Sequence, residues 1–269
     1  MMTHETSLLL LQSGWIYIGL TIAVAIVFIL SWLYGTHVRR KINKQMVEVS
    51  SIFITSIFSF FAILVAFQLS GSTHIYETQR KLTVDEILSI TAVMDATQTL
   101  RADDRKEFLN RLIDYVDLRQ KFYERPIDPS GLEARGHAQK NAGQALLRQA
   151  YSLLPKYTGD DRVVFNNFLT RVQSMNTIFD QQYASIFMQM PRLLWQALVA
   201  LLMVIAAICG YKTGIENGQQ FGLTVLFLAV VLAAIIICLN LGNPRVSAMH
   251  LDLVDAQFPK LLSHLKSLR

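Results

Sequence analysis

The side chains best suited to chemistry gather in one apolar stretch. Ser51, Thr55, Ser59, Ala62, Ala66 and Ser70 recur every three or four residues, a spacing that places them on one face of a helix. Hydroxyl dipoles along such a face can offer an ion partial solvation, so one reading is a pore lining. The competing reading is close helix packing, because small residues let backbones approach in lipid. Phe53, Phe60 and Phe67, spaced by seven, form a second stripe suited to lipid contact or to a hydrophobic constriction. Gln68 is the one amide of the stretch, and an amide in apolar surroundings requires a partner, in a pore or in packing.

Other chemistries find less support. His74 and Glu77 lie one helical turn apart, but a metal site normally takes three or four ligands, and the other histidines are scattered. The acidic pairs Asp85/Glu86, Asp103/Asp104 and Asp160/Asp161 could attract a cation; the last two open helices, where carboxylates complement the helix dipole. Cys209 and Cys238 make neither a disulfide framework nor a zinc site alone. No glycine-rich phosphate loop, nucleophile elbow or zinc-protease helix occurs, and no Ser–His spacing nominates a catalytic pair. The expectation is a protein without enzymatic activity, metal or cofactor.

The elements that position these residues are membrane helices. Of 269 residues, 52% are hydrophobic and 17% charged, against about 25% charged in soluble domains. Four runs lack Asp, Glu, Lys and Arg and approach the ~20 residues that cross a bilayer: 15–34, 52–70, 193–211 and 222–241. The first is an anchor, since no basic residue precedes it and no small-x-small cleavage site follows. The fold class expected is all-α, a four-transmembrane-helix protein with a helical extramembrane insert between the second and third spans. The divisions are 1–70 (tail and two spans), 71–192 (insert), 193–242 (two spans) and 243–269 (C-terminal tail).

Within the insert, Ile75, Leu82, Ile87, Thr91 and Met94 continue the second span as a loose helical stripe. Asp103 is placed as an N-cap for a helix with Phe108, Leu112, Tyr115, Leu118 and Phe122 on one face. Arg125–Gly131 reads as a turn-rich loop, 133–154 as a weaker helix ending at Pro155. Asp160 or Asp161 caps a further helix carrying Val164, Phe168, Val172, Met175 and Phe179. In the later spans the Ala229/Ala233 pair has the small-xxx-small spacing of helix association.

The net charge of +5 and pI near 9.2 do not point to nucleic acid. The insert holds 16 basic and 15 acidic residues, whereas loop 36–51 holds four basic residues against Glu48. Basic residues beside spans are enriched on the cytoplasmic side, and the first tail has none. That bias puts loop 36–51 inside and the insert outside, in the periplasm if the membrane is a bacterial inner (plasma) membrane.

Several short motifs stand out: Val38-Arg39-Arg40-Lys41, Ala62 through Gly71, Tyr76-Glu77-Thr78-Gln79-Arg80-Lys81-Leu82 and 105–115. Pro191-Arg192-Leu193-Leu194-Trp195 and the tail from Asn243-Pro244-Arg245 to Leu262 join them. In these motifs the chain resembles the bestrophin-like family of bacterial membrane proteins. The resemblance implies a multi-pass homo-oligomer, a pentamer if it follows the bestrophins, acting as an anion channel lined by the second span. It also implies a cytoplasmic insert, against the charge bias. The Trp-Trp signature that bestrophins place after that span is replaced by Tyr76-Glu77-Thr78-Gln79. The partners expected are the lipid bilayer and further copies of the chain. The alternative function is a membrane-anchored sensor or interaction protein whose insert binds a protein partner.

Overall fold

The computed structural model describes residues 15–41, 51–122, 129–186, 192–216, 220–242 and 255–268, with the side chains of 51–53, 129–130 and 192 outside that set. The described residues form α1 (Trp15–Lys41), α2 (Ser51–Ala96), α3 (Ala102–Lys121), α4 (Pro129–Leu153), α5 (Asp160–Ile186), α6 (Arg192–Ile215), α7 (Phe221–Gly242) and α8 (Gln257–Ser267). Short 3-10 turns at Thr97–Thr99 and Leu154–Lys156 join α2 to α3 and follow α4. No strand occurs among the described residues. Four of the helices, α1, α2, α6 and α7, are long and apolar enough to cross a membrane.

Two compact units result. One contains residues 10–75 and 189–248, the other 76–188 and 249–269. The backbone of α2 is continuous from the first into the second.

In the first unit, glycine lets α1 and α6 touch backbone to backbone. A Cβ on Gly210 would collide with the Phe28 carbonyl oxygen, and one on Gly214 with that of Trp32. The reciprocal contact comes from Gly35, whose Cβ would lie 2.5 Å from the Tyr211 carbonyl oxygen. Gly210 and Gly214 thus form the small-xxx-small pair that works within the chain, since lipid gives no hydrophobic drive and packing must supply the attraction. Ala229 and Ala233, the pair expected from spacing, are exposed in the single chain. Leu198, Leu202, Ile205 and Ala206 of α6 meet Phe28, Phe61, Leu228 and Ile235 in the rest of this core.

The second unit is a helical bundle around Ile90, Phe108, Leu112, Val116, Leu146, Phe168, Val172 and Met175. Phe108 meets Phe168 edge-on at 4.9 Å, and Tyr157 stacks on Phe165 at 4.4 Å. Three local expectations are corrected. Asp103 is not the N-cap of α3: Arg101 holds that place without a side-chain cap, and the Asp104 carboxylate accepts a 2.6 Å bond from Lys156. That bond, foremost, raises the pKa of the Lys156 ammonium. Residues 129–131 belong to α4, where Pro129 suits a first position because its absent N–H has no helical partner; 123–128 lie outside the described residues. The apolar faces are also rotated, so that Leu118 and Val164 are exposed while Arg119 and Phe165 are buried. Finally, α8 has no counterpart among the expected elements, yet Phe258, Leu261, Leu262 and Leu265 complete the core.

The glycine contact makes a sharp prediction. Gly210→Val must push two helix backbones apart, and overpacking of this kind costs about 1–3 kcal/mol or more. Thermal unfolding in detergent should show a clear loss for Gly210→Val and Gly214→Val. Gly19→Ala, where nothing lies within 4 Å of the new Cβ, should be neutral or gain up to about 1 kcal/mol from helix propensity.

Candidate functional site

The stretch singled out from sequence forms the first half of α2. Thr55, Ser59, Ala62, Ala66 and Ser70 all face outward from the single chain, uncovered by α1, α6 or α7. Phe60 and Phe67 lie on the shoulder of the same face at 57% and 62% exposure, with Ile63 between them. The side chains of Ser51 and Phe53 lie outside the described residues. Phe61, on the opposite side of the helix, enters the core of the unit. The face contains no formal charge from Thr55 to Ser70.

Gln68 points away from the stripe and is buried to 2% exposure. Its Nε2 has no hydrogen-bond partner among the described residues. One turn further, Ser72 is fully buried, close to Gly242 of α7. Tyr17 of α1 donates a 3.2 Å hydrogen bond to Asn240 Oδ1, and Asn240 Nδ2 donates to the Ile236 carbonyl. Gln68 is therefore buried within this unit, apart from the exposed stripe.

The second unit buries an ion pair that the sequence reading did not single out. Arg119 of α3 forks onto Glu86 of α2: Nε donates to Oε1 at 2.6 Å and Nη2 to Oε2 at 2.7 Å, with both side chains inaccessible. Arg119 Nη2 also donates to Gln182 Oε1 at 2.6 Å. Gln182 Nε2 in turn donates to Thr83 Oγ1, and Thr83 Oγ1 donates to the Gln79 carbonyl. Gln79 Nε2 closes the chain on the Ser185 carbonyl at 3.1 Å. The guanidinium also lies 5.0 Å from the ring centre of Phe122 and 4.9 Å from that of Phe258. Planar, forked and weakly hydrated, Arg can satisfy a carboxylate and lie over rings at once.

Glu86 belonged to an acidic pair weighed as a cation site; its counter-ion is a protein side chain. A signal for Arg119 did exist, since it continues Leu112, Tyr115 and Val116 at helical spacing, but a charge on an apolar face reads as solvated until a partner is known. Beside the pair, Tyr115 is fully buried, and burial, aided by the Glu86 charge, raises its phenol pKa. His74 and Glu77 are both exposed. Among the described residues no three His, Cys, Asp or Glu gather as a metal site.

Fold and face together define an all-helical membrane protein with four spans and an uncovered, uncharged face on its second. The bestrophin-like domain matches residues 21–244, and the chain belongs to that family. The fold is that of a bacterial bestrophin homologue from Klebsiella pneumoniae carrying a tryptophan-to-alanine mutation, with TM-score 0.70, 11% identity, and 93% of this chain and 97% of that one covered. A structure of a bestrophin homologue from the same organism, solved by Zn-SAD phasing, gives TM-score 0.70 at 10% identity, with 92% and 98% covered. A further crystal structure, of a membrane protein, gives 0.72 at 11% identity, with 92% and 97% covered. Comparison with curated proteins gave no match.

The ion pair yields a test of the second unit. Arg119→Met strands a buried carboxylate, and breaking such a pair costs about 3–5 kcal/mol. Limited proteolysis and thermal unfolding should show the insert opening in this variant. Glu86→Leu combined with Arg119→Met should recover most of the loss, because no charge is then left buried.

Proposed function

We propose that the protein is a homo-oligomeric anion channel of bestrophin type, with the outward face of α2 lining the conducting path. The observation that carries this reading is the exposure of Thr55, Ser59, Ala62, Ala66 and Ser70 on a helix whose other side is already packed. A ring of copies joined around α2 would bring these small and hydroxyl-bearing positions to a common axis. Hydroxyl donors partially replace an anion's water, and the absence of carboxylates on the face avoids repelling it. Phe60 and Phe67, at the edge of the same face, offer their exposed rings to the adjoining copies. A pentamer is the number that family resemblance supports.

The reading is tested by introducing Ser59→Cys and reconstituting the oligomer into liposomes. Chloride flux should be measurable, and a charged, water-soluble thiol reagent should change it for Ser59→Cys but leave the wild type unaltered. A well-folded oligomer that passes no anion, or an introduced thiol at position 59 that never meets the reagent, overturns the pore reading.

We also propose the bestrophin orientation, with the insert in the cytoplasm. The family fold extends over more than nine-tenths of the chain, whereas the opposing charge bias rests on four basic residues in one loop. Ala134 is exposed on α4, and the Ala134→Cys variant should resist an impermeant thiol reagent in intact cells and react after permeabilisation. Labelling of intact cells would instead put the insert outside, as the charge bias has it.

A further inference from the structure

A second feature of the membrane unit lies away from the outward stripe of α2. A cleft of about 520 Å³ opens between α2, α6 and α7, within the ~300–1,000 Å³ usual for ligand sites. Its long wall is apolar: Ile54 and Phe58 from α2, with Leu223, Leu226, Phe227 and Val230 from α7. The four α7 residues follow the spacing of one helix face, and three of them are more than 60% exposed, Phe227 being the more enclosed. One rim is polar. Thr213 Oγ1 donates to the Cys209 carbonyl and lies 3.4 Å from Thr224 Oγ1, while Lys212 and Glu216 edge the opening.

The depth of that rim follows from the glycine contact. Tyr211 and Gly214 of α6 pack on Gly35 of α1, so Lys212 and Glu216 stand level with the end of α1 that carries Arg39, Arg40 and Lys41. Such a run of charge marks the membrane–water boundary. The cleft therefore has its polar rim at headgroup level and its apolar wall extending into hydrocarbon. That is the division of polarity in a phospholipid.

The charges at the rim identify the headgroup. Lys212 Nζ and Glu216 Oε1 are 3.7 Å apart, too long for a hydrogen bond, and both side chains retain substantial exposure. Lys preceding Glu by four is the weaker order of such a pair. Glu216 also lies just beyond the C-terminus of α6, at the negative end of the helix dipole, where a cation is wanted. The two groups together are neutral, so the rim offers a cation for a phosphate and an anion for an amine.

We propose that the cleft binds a phosphatidylethanolamine-type lipid, its phosphate on Lys212, its primary ammonium on Glu216 and one acyl chain against Phe58, Leu226 and Val230. A choline headgroup places methyl groups where the ammonium would donate to Glu216, and a glycerol headgroup has no cation to offer. This site does not depend on whether the protein conducts.

Native mass spectrometry of the full chain in neutral detergent, titrated with phosphatidylethanolamine, phosphatidylcholine or phosphatidylglycerol, provides the test. Wild type should retain phosphatidylethanolamine over the other two by roughly two- to fivefold, the size of one exposed ion pair. Glu216→Gln, a conservative change at a part-exposed position without a hydrogen-bonded ion pair, should erase the preference over phosphatidylcholine while thermal unfolding stays unchanged. Leu226→Trp, which fills the wall, should lower retention of all three lipids. Equal retention of the three by wild type, or a preference for phosphatidylglycerol, overturns the proposal. So does a Leu223→Cys variant that forms a disulfide with a second copy, because the cleft would then be a contact between chains.

Discussion

The helical insert depends on a charge held where water cannot reach it. Arg119 and Glu86 are each expensive to bury, and the cost is met only when the guanidinium fork and the carboxylate are aligned and their remaining groups engaged. The geometry aligns the fork with the carboxylate and engages Arg119 Nη2 a second time, drawing on several helices at once. Glu86 and Thr83 come from α2, Arg119 from α3, Gln182 from α5, and Phe258 of α8 lies over the guanidinium. A purely apolar core would tolerate small rotations of these helices at little cost. Here a rotation of α3 that buried Leu118 and exposed Leu112 would pull the fork off Glu86. The pair thus selects one register among several that hydrophobic packing would permit.

The membrane unit faces the opposite problem. Its helices gain nothing from hiding apolar surface from lipid, so association depends on how closely they approach and on the few polar groups they share. Gly35, Gly210 and Gly214 answer the first need by removing every side-chain atom between two backbones. Tyr17 and Asn240 answer the second at the other end of α1. Both devices are local, and together they grip α1 at its two ends.

The four spans were legible because they depend on length and the absence of charge, which are properties of a single stretch. The small-residue face of α2 was legible for the same reason, since helical spacing alone puts Thr55, Ser59, Ala62 and Ala66 on one side. What spacing could not give is where that side points. Gln68 looks like a neighbour of Ala66 and Ser70 in the sequence, yet it lies off their face and is buried. The ion pair was hidden more deeply. Glu86 and Arg119 are 33 residues apart, and the place of Arg119 on an apolar helix face has no meaning until its distant partner is known. The short amphipathic α8 was missed because a few apolar residues, Phe258, Leu261, Leu262 and Leu265, acquire meaning only when the bundle they complete is known.

The outward face of α2 gains its interest from what surrounds it. A helix meeting only lipid has reason to be uniformly apolar, as α7 nearly is, and hydroxyls there would gain nothing. A helix packed within one chain would be covered by its neighbours. The stretch from Thr55 to Ser70 does neither: hydroxyls and alanines alternate with large rings on a surface that the rest of the chain leaves open. Small side chains suit an approach by other backbones, hydroxyls suit polar company, and the rings suit apolar cover. The proposed ring of copies would meet all three demands, because the same helix would then turn its small positions to a shared axis and its rings to the adjoining subunits.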